Sequence, residues 1–442
     1  MKKIMLGTTA LVGLSAVASG VQAADPLKLS LGGYAEYYMV ARTQRPLNYD
    51  GAPNQNSQKG RGFSMYWEDA EIWFSASTQL DNGITVGYRV EMETRNRDSS
   101  GLSNANSLSN SSTDRNLFRD DHRITFTGGF GQFQLGDTAG AANVMQYQAP
   151  GVTKIGVVDG TDLLINPSYN SAQVGTYTGA FNTNNRINYF TPRFAPGFQF
   201  GVSFAPENGT TGRGSGGADG NAGPVQTEED NGDFQSITEL GVNFVRSMNG
   251  VDVAWSLAGV YAALEECDYN YSPIPNRHAG CNPLLPNADR WIGQTGFQVS
   301  FAGWTVGAGA SFDNRGWHSN KALGWEANAG VTYGIGPWAF GLQGGYGQVN
   351  NGYWDDSNGF STAANITSFS YRGGLDTKAA VGLGASYTLG PGILLQAEAQ
   401  YITWDNEGLE KHNGISAGVY DSLRTLKESS GFAFAFGTAL SF

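Results

Sequence analysis

Charged side chains at alternate positions are the first feature with chemical potential. In "ITVGYRVEMETRNR" (84–97), Arg89, Glu91, Glu93, Arg95 and Arg97 occupy every second residue, and Ile84, Val86, Tyr88, Val90 and Met92 fill the gaps. Glu71 stands on the polar side of "EIWFSASTQL" (71–80), Arg123 follows two aspartates, and Arg186 opens a further alternating run. Interleaved cations and carboxylates of this kind make a wall of mixed sign, which orients ions and polar solutes. Hydrolysis is poorly served. Of the four histidines, His278, His318 and His412 fall in long polar segments, and His122 shares its face with Ile124 and Phe126. A nucleophilic serine would need that histidine and an orienting polar group beside it, and Ile124 stands in the place. "GRGSGG" (212–217) lacks the helix that a phosphate loop requires. Neither an enzyme nor a bound cofactor or metal is expected.

The elements that position these charges are strands. Ile72, Phe74, Ala76 and Leu80 alternate with Glu71, Ser75, Ser77 and Gln79 before the turn "DNG" (81–83), a hairpin signal between two period-two runs. Six more short turns follow, at 129–131, 194–198, 247–250, 301–304, 335–338 and 389–392. Seven turns join fourteen strands, and the runs at 27–41 and 431–442 bring the expected number to sixteen. Long polar segments link the hairpins, at about 43–62, 98–118, 137–185, 207–235, 264–290, 313–321, 351–376 and 406–430. One strand face carries Trp255, Leu257, Phe297, Phe340, Leu383 and Tyr401; the other carries Gln, Ser, Gly, Glu, Arg and Asn. The expected fold is an all-β, transmembrane antiparallel barrel with short periplasmic turns and long extracellular loops, apolar outward and polar inward. Trp304 and Trp338 follow short turns and suit an aromatic girdle. The terminal "FAFAFGTALSF" (432–442) is then a lipid-facing strand that closes the sheet and removes its edges.

Compartment and partners follow from the ends and the charge. Lys2 and Lys3, an apolar stretch and the small residues at Ala23 and Ala24 read as a signal peptide, cleaved after either alanine. The remaining chain, 24–442, is expected to be one domain. It holds 25 basic and 39 acidic residues, a net of −14, which disfavours nucleic acid. Cys267 and Cys281, paired at short spacing in an exported chain, read as a disulfide.

In "NRINYFTPRFAPGFQFGVSF" (185–204), "GFGQFQLGD" (129–137), the "LGPGI" turn and the terminal Phe442, the chain resembles the Gram-negative general porins, sixteen-stranded trimeric channels of the outer membrane. The resemblance implies that 137–185, after the fifth strand, folds inward as a constriction loop. Its Asp159 and Asp162 would face basic residues of the wall. It also implies a homotrimer, contact with outer-membrane lipid and lipopolysaccharide, and recognition of Phe442 by the barrel assembly machinery. The mild outer face of the first strand (Leu29, Leu31, Gly33, Ala35) suits a protein contact. A strand tilted about 40° climbs roughly 2.5 Å per residue. Arg89 and Arg123 therefore stand near mid-height, Lys28 low and Arg186 higher, with Glu71, Glu91 and Glu93 on the same wall. The expectation is a passive, weakly cation-selective pore. Its rivals are a sugar- or anion-selective channel, for which Tyr34, Tyr38 and Trp73 form a candidate track, and a barrel used as a surface enzyme or adhesin.

Overall fold

The computed structural model describes residues 9–10, 26–44, 62–93, 118–158, 160, 162–164, 172–176, 178–182, 184–208, 234–264, 288–316, 323–355, 370–406 and 428–442. Sixteen strands make the barrel. The first eight are β1 (Lys28–Gln44), β2 (Phe63–Gln79), β3 (Thr85–Glu93), β4 (Phe118–Gly128), β5 (Gly131–Thr138), β6 (Asn184–Phe190), β7 (Phe198–Glu207) and β8 (Phe234–Met248). The second eight are β9 (Val251–Leu264), β10 (Arg290–Phe301), β11 (Trp304–Asp313), β12 (Gly324–Ile335), β13 (Trp338–Asp355), β14 (Ser370–Gly390), β15 (Ile393–Asn406) and β16 (Glu428–Ser441). Each strand pairs antiparallel with its chain neighbour, and β16 pairs with β1 to close the ring. A two-residue piece, Thr9–Ala10, lies beside Leu31 and Ser30 of β1.

All seven short turns are present. At the first, Gly83 has φ 80° and its N–H donates to the Leu80 carbonyl at 2.9 Å, a backbone shape that glycine adopts without a Cβ penalty. β13 and β14 run further than the alternation suggests, pairing Asp355 with Ser370. Once the barrel presents a neighbouring strand, ladder bonds extend through glycine-rich sequence with little strand propensity of its own.

The terminal strand shows why the alternation matters. Phe432, Phe434 and Phe436 are exposed on the outer face, while Gly431, Ala433, Ala435 and Gly437 are buried on the inner one. Phe442 exchanges two 3.0 Å backbone bonds with Gly33 of β1. The final residue thus seals the seam, and no edge is left open in lipid. At the short-turn end, Trp304 packs tilted against Tyr333 and Trp338 against Tyr387, with all four on the outer surface. These rings form a belt of aromatic side chains of the sort that sits at a membrane interface.

The apolar core lies inside the ring. Ile155, Val157, Val158, Leu163 and Leu164, between β5 and β6, pack against Tyr38, Val40, Ile402, Trp404, Ala433 and Ala435 of the wall. A second cluster joins Ala142 and Phe181 to Ala205, Ile237, Ala258, Val260 and Ile292. The inner face is therefore not polar throughout. It carries two apolar patches where chain from the β5–β6 connection covers it, since a wetted Ile402 or Trp404 would forfeit its burial free energy.

Candidate functional site

The connection from β5 to β6 reaches the opposite wall. Its chain direction is set by a one-turn helix, α1 (Ala141–Val144), and then by bonds from its backbone to inward-facing side chains. Tyr147 N–H donates to Ser256 of β9, Ala149 N–H to Asn328 of β12, Val158 N–H to Gln343 of β13, and Lys154 N–H to Gln396 of β15, all within 2.8–2.9 Å. Gln294 and Gln298 of β10 donate back to the carbonyls of Tyr147 and Gln148. Buried backbone groups away from a ladder need such partners, and amides on alternate wall positions supply both donor and acceptor. Lumen-facing glycines make room. A Cβ on Gly296 would overlap the Tyr147 carbonyl, and one on Gly347 the carbonyl of Gln173.

With the apolar contacts to Tyr38 and Val40 of β1 and Ala433 and Ala435 of β16, this attachment covers β9–β16 and part of β1, and leaves Tyr34 of β1 and the wall of β2–β4 facing the loop's free side. On that wall Arg89 and Arg123 are direct cross-strand partners, adjacent and level as their distances from the turns imply. Neither is a lone cation. Arg89 is ion-paired with Glu91 two residues along, and its guanidinium lies over the Trp73 ring at 4.6 Å. Arg123 is ion-paired with Asp121 and donates to Thr138 Oγ1 at 3.1 Å. Trp73 neighbours Tyr34 at 5.9 Å between ring centres, and the Tyr34 hydroxyl donates to Asp69. Glu71 pairs in register with Glu93.

Two expected positions differ, those of Arg186 and Tyr38, while Asp162 meets a basic residue of the wall on β14. Arg186 does not look into open lumen: its side chain is 0% exposed and ion-paired with Glu239 of β8. The reason is the covering chain, whose Phe181 carbonyl accepts from the same guanidinium. Asp162 is held against the wall by Lys378 Nζ of β14 at 2.7 Å, and that lysine is 3% exposed. Tyr38 lies fully buried under the loop, its hydroxyl on Glu36 at 3.1 Å, so it contributes nothing to an aromatic track. Asp159, Cys267, Cys281, His278, His318 and His412 lie outside the described residues, as does the side chain of Glu93.

Sequence reasoning overlooked Lys154. It is exposed on the loop, and its Nζ lies over the Tyr34 ring of the facing wall, 6.0 Å from the ring centre. Its place between two glycines of the inward segment, Gly151 and Gly156, was the available signal. Behind the loop, a cavity of about 570 Å³ is lined by Arg290, Arg315 and Lys378 with Asp162, Asp313 and Glu326. Three cations face three carboxylates there, so it adds no net field to the front.

A closed sixteen-stranded ring, greasy outside, with a charged inner wall and chain drawn across its lumen, defines a transmembrane β-barrel of the channel-forming type. The comparisons agree. The Gram-negative porin family model matches residues 7–407, and the chain belongs to that family. It is an outer-membrane barrel whose fold is that of a channel for solute diffusion. Among solved structures it is similar to an anion-selective porin from Comamonas acidovorans, with a TM-score of 0.53 and 13% identity over 94% of this chain and 100% of that one. It is also similar to OmpT of Vibrio cholerae in a trimer form, at a TM-score of 0.51 and 10% identity over 95% and 100%. The outer membrane channel DcaP of Acinetobacter baumannii matches with 0.50 and 12% over 94% and 97%. At these identities the likeness is one of fold. No curated sequence matches the chain.

Proposed function

We propose that the protein is a passive channel for small hydrophilic solutes and ions, weakly selective for cations, with its narrowest passage between the loop at Lys154 and the wall of β1–β4. One observation carries the sign of the selectivity. Both wall arginines are ion-paired with carboxylates on their own strands, and Asp69 and Glu71 stand on the same inner wall. At the height of Arg89 and Arg123, four described carboxylates, Asp69, Glu71, Glu91 and Asp121, face those two arginines and Lys154, while Lys28 and Arg42 of β1 lie below and above that level. A surplus of fixed negative charge concentrates cations. The aromatic track of a sugar-selective channel is less well supported, because Trp73 lies against Gly32 under the Arg89 guanidinium and Tyr38 is covered.

The same reading makes the protein a homotrimer, as the trimer form of the Vibrio cholerae structure suggests, with the rest of its outer face in lipid and lipopolysaccharide. Residues 1–23 would be removed on export. The assembly machinery would engage Phe442 before closure, since in the closed ring its backbone is bonded to Gly33. A channel rather than an adhesin or surface enzyme is favoured by the family and by the inner wall. The test is a reversal potential across a planar bilayer under a salt gradient. A preference for anions would refute the assigned sign, and an absence of conductance would refute the channel.

A further inference from the structure

We infer that the buried Arg186–Glu239 ion pair is a clamp that joins both ends of the inward loop and thereby sets the aperture of the channel; this rests on the channel reading. The loop leaves the wall at Ala139–Ala142 and returns at Phe181–Asn184. Arg186 of β6 sits under both points. Its Nη1 pairs with Glu239 Oε1, its Nη2 donates to the Phe181 carbonyl, and its Nε reaches the Asn184 carbonyl at 3.5 Å. Glu239 of β8 uses its other oxygen to accept from Ala142 N–H at 3.1 Å. One ion pair therefore grips the departing and the returning chain together.

Neighbouring side chains reinforce the root. Ser203 of β7 accepts from Ala141 N–H at 2.7 Å, and Asn188 of β6 donates to the Ala139 carbonyl at 2.9 Å. Three consecutive strands thus aim their inner side chains at one spot. Gly140 lies between them, where a Cβ would overlap both Glu239 Oε2 and Arg186 Nη1. Apolar packing seals the place, with Phe181 edge-on to Phe234 at 5.6 Å and Ala142 beside Ile237.

The amide bonds further along the loop each fix a single point, so losing one moves the chain locally. The clamp differs because its members are charged and dry, with side chains 0% and 1% exposed. Removing one partner leaves the other as an uncompensated charge in a water-poor site. The cheapest relief is hydration, which requires the root to lift. Since both ends hang on the same pair, lifting carries the loop, with Lys154, away from the β1–β4 wall.

The experiment compares wild type with Arg186→Ala and with the double variant Arg186→Met/Glu239→Met, which removes the clamp but strands no charge. Barrel assembly is checked by heat-modifiable electrophoretic mobility. Single-channel conductance and the exclusion limit for neutral polyethylene glycols are then measured. The expected result is an assembled barrel with raised conductance and an exclusion limit shifted to larger polymers in both variants, more in Arg186→Ala; the double variant strands no charge but still frees the Ala142 N–H and the Phe181 carbonyl that the pair grips. The readout separates positioning from mere stability, because a less stable but unchanged loop would leave the limit where it was. Assembled variants with wild-type conductance and limit overturn the inference while leaving the channel intact. Failure of both variants to assemble also overturns it, making the pair a folding requirement. A wild-type protein without conductance removes the channel reading itself.

Discussion

Lys154→Glu is the sharpest probe of the passage, because it alters the field without touching the loop's attachment. The attachment at this residue runs through its backbone N–H to Gln396, which the substitution keeps. The side chain stands 6.0 Å from the Tyr34 ring on the facing wall, so a passing ion comes within about that distance of the charge. A unit charge about 6 Å from an ion in water contributes roughly 0.7 kcal/mol. At 0.1 M salt, a Debye length of about 10 Å reduces this to about 0.4 kcal/mol. Lysine to glutamate changes the local charge by two units, which favours a cation and disfavours an anion by about 0.8 kcal/mol each. The cation-to-anion permeability ratio should rise by about 1.5 kcal/mol, or roughly tenfold. At 1 M salt, where the Debye length is about 3 Å, the shift should shrink to about twofold. The assay is the reversal potential under a salt gradient, at both ionic strengths. An unchanged reversal potential at 0.1 M would place Lys154 outside the conduction path and refute the assigned passage.

Other perturbations test the supports of the site. Asp162→Lys sets two like charges together beside the buried Lys378 and should move selectivity towards anions with noisier current; a silent substitution would mean that Asp162 has no influence on the passage. Gln343→Ala leaves the Val158 N–H without its 2.9 Å acceptor, a local cost of about 1–3 kcal/mol; hydrogen exchange at Val158 should accelerate while the barrel stays assembled. Cys267 and Cys281 should resist a thiol reagent until reduced, and the bridge should contribute about 3 kcal/mol if it closes a loop of about 15 residues; labelling before reduction would exclude it.

Strand number, turn positions and the facing of Arg89 and Arg123 were legible in the chain itself because they depend on local periodicity. Side chains alternate every residue along a strand, so "ITVGYRVEME" declares its two faces without knowledge of what lies opposite. The terminal phenylalanines were likewise readable, since one-sided apolar alternation at a chain end needs lipid and a partner strand. The apolar stretch "VDVAWSLAGVYAAL" carried a further hint: Ala258, Val260 and Ala262 make its inner face greasy as well, and that face proves to be covered. What covers it was not readable. Arg186 meets Glu239 across 53 residues, and Lys378 meets Asp162 across 216. Whether an inward arginine stands in water or beneath a loop depends on where that loop comes to rest. Its rest position is decided by amides, glycines and apolar patches spread over β6–β16 and β1, which no local pattern relates. The periodicity of the sequence therefore determined the wall, and tertiary packing alone decided which charges on that wall remain in the passage.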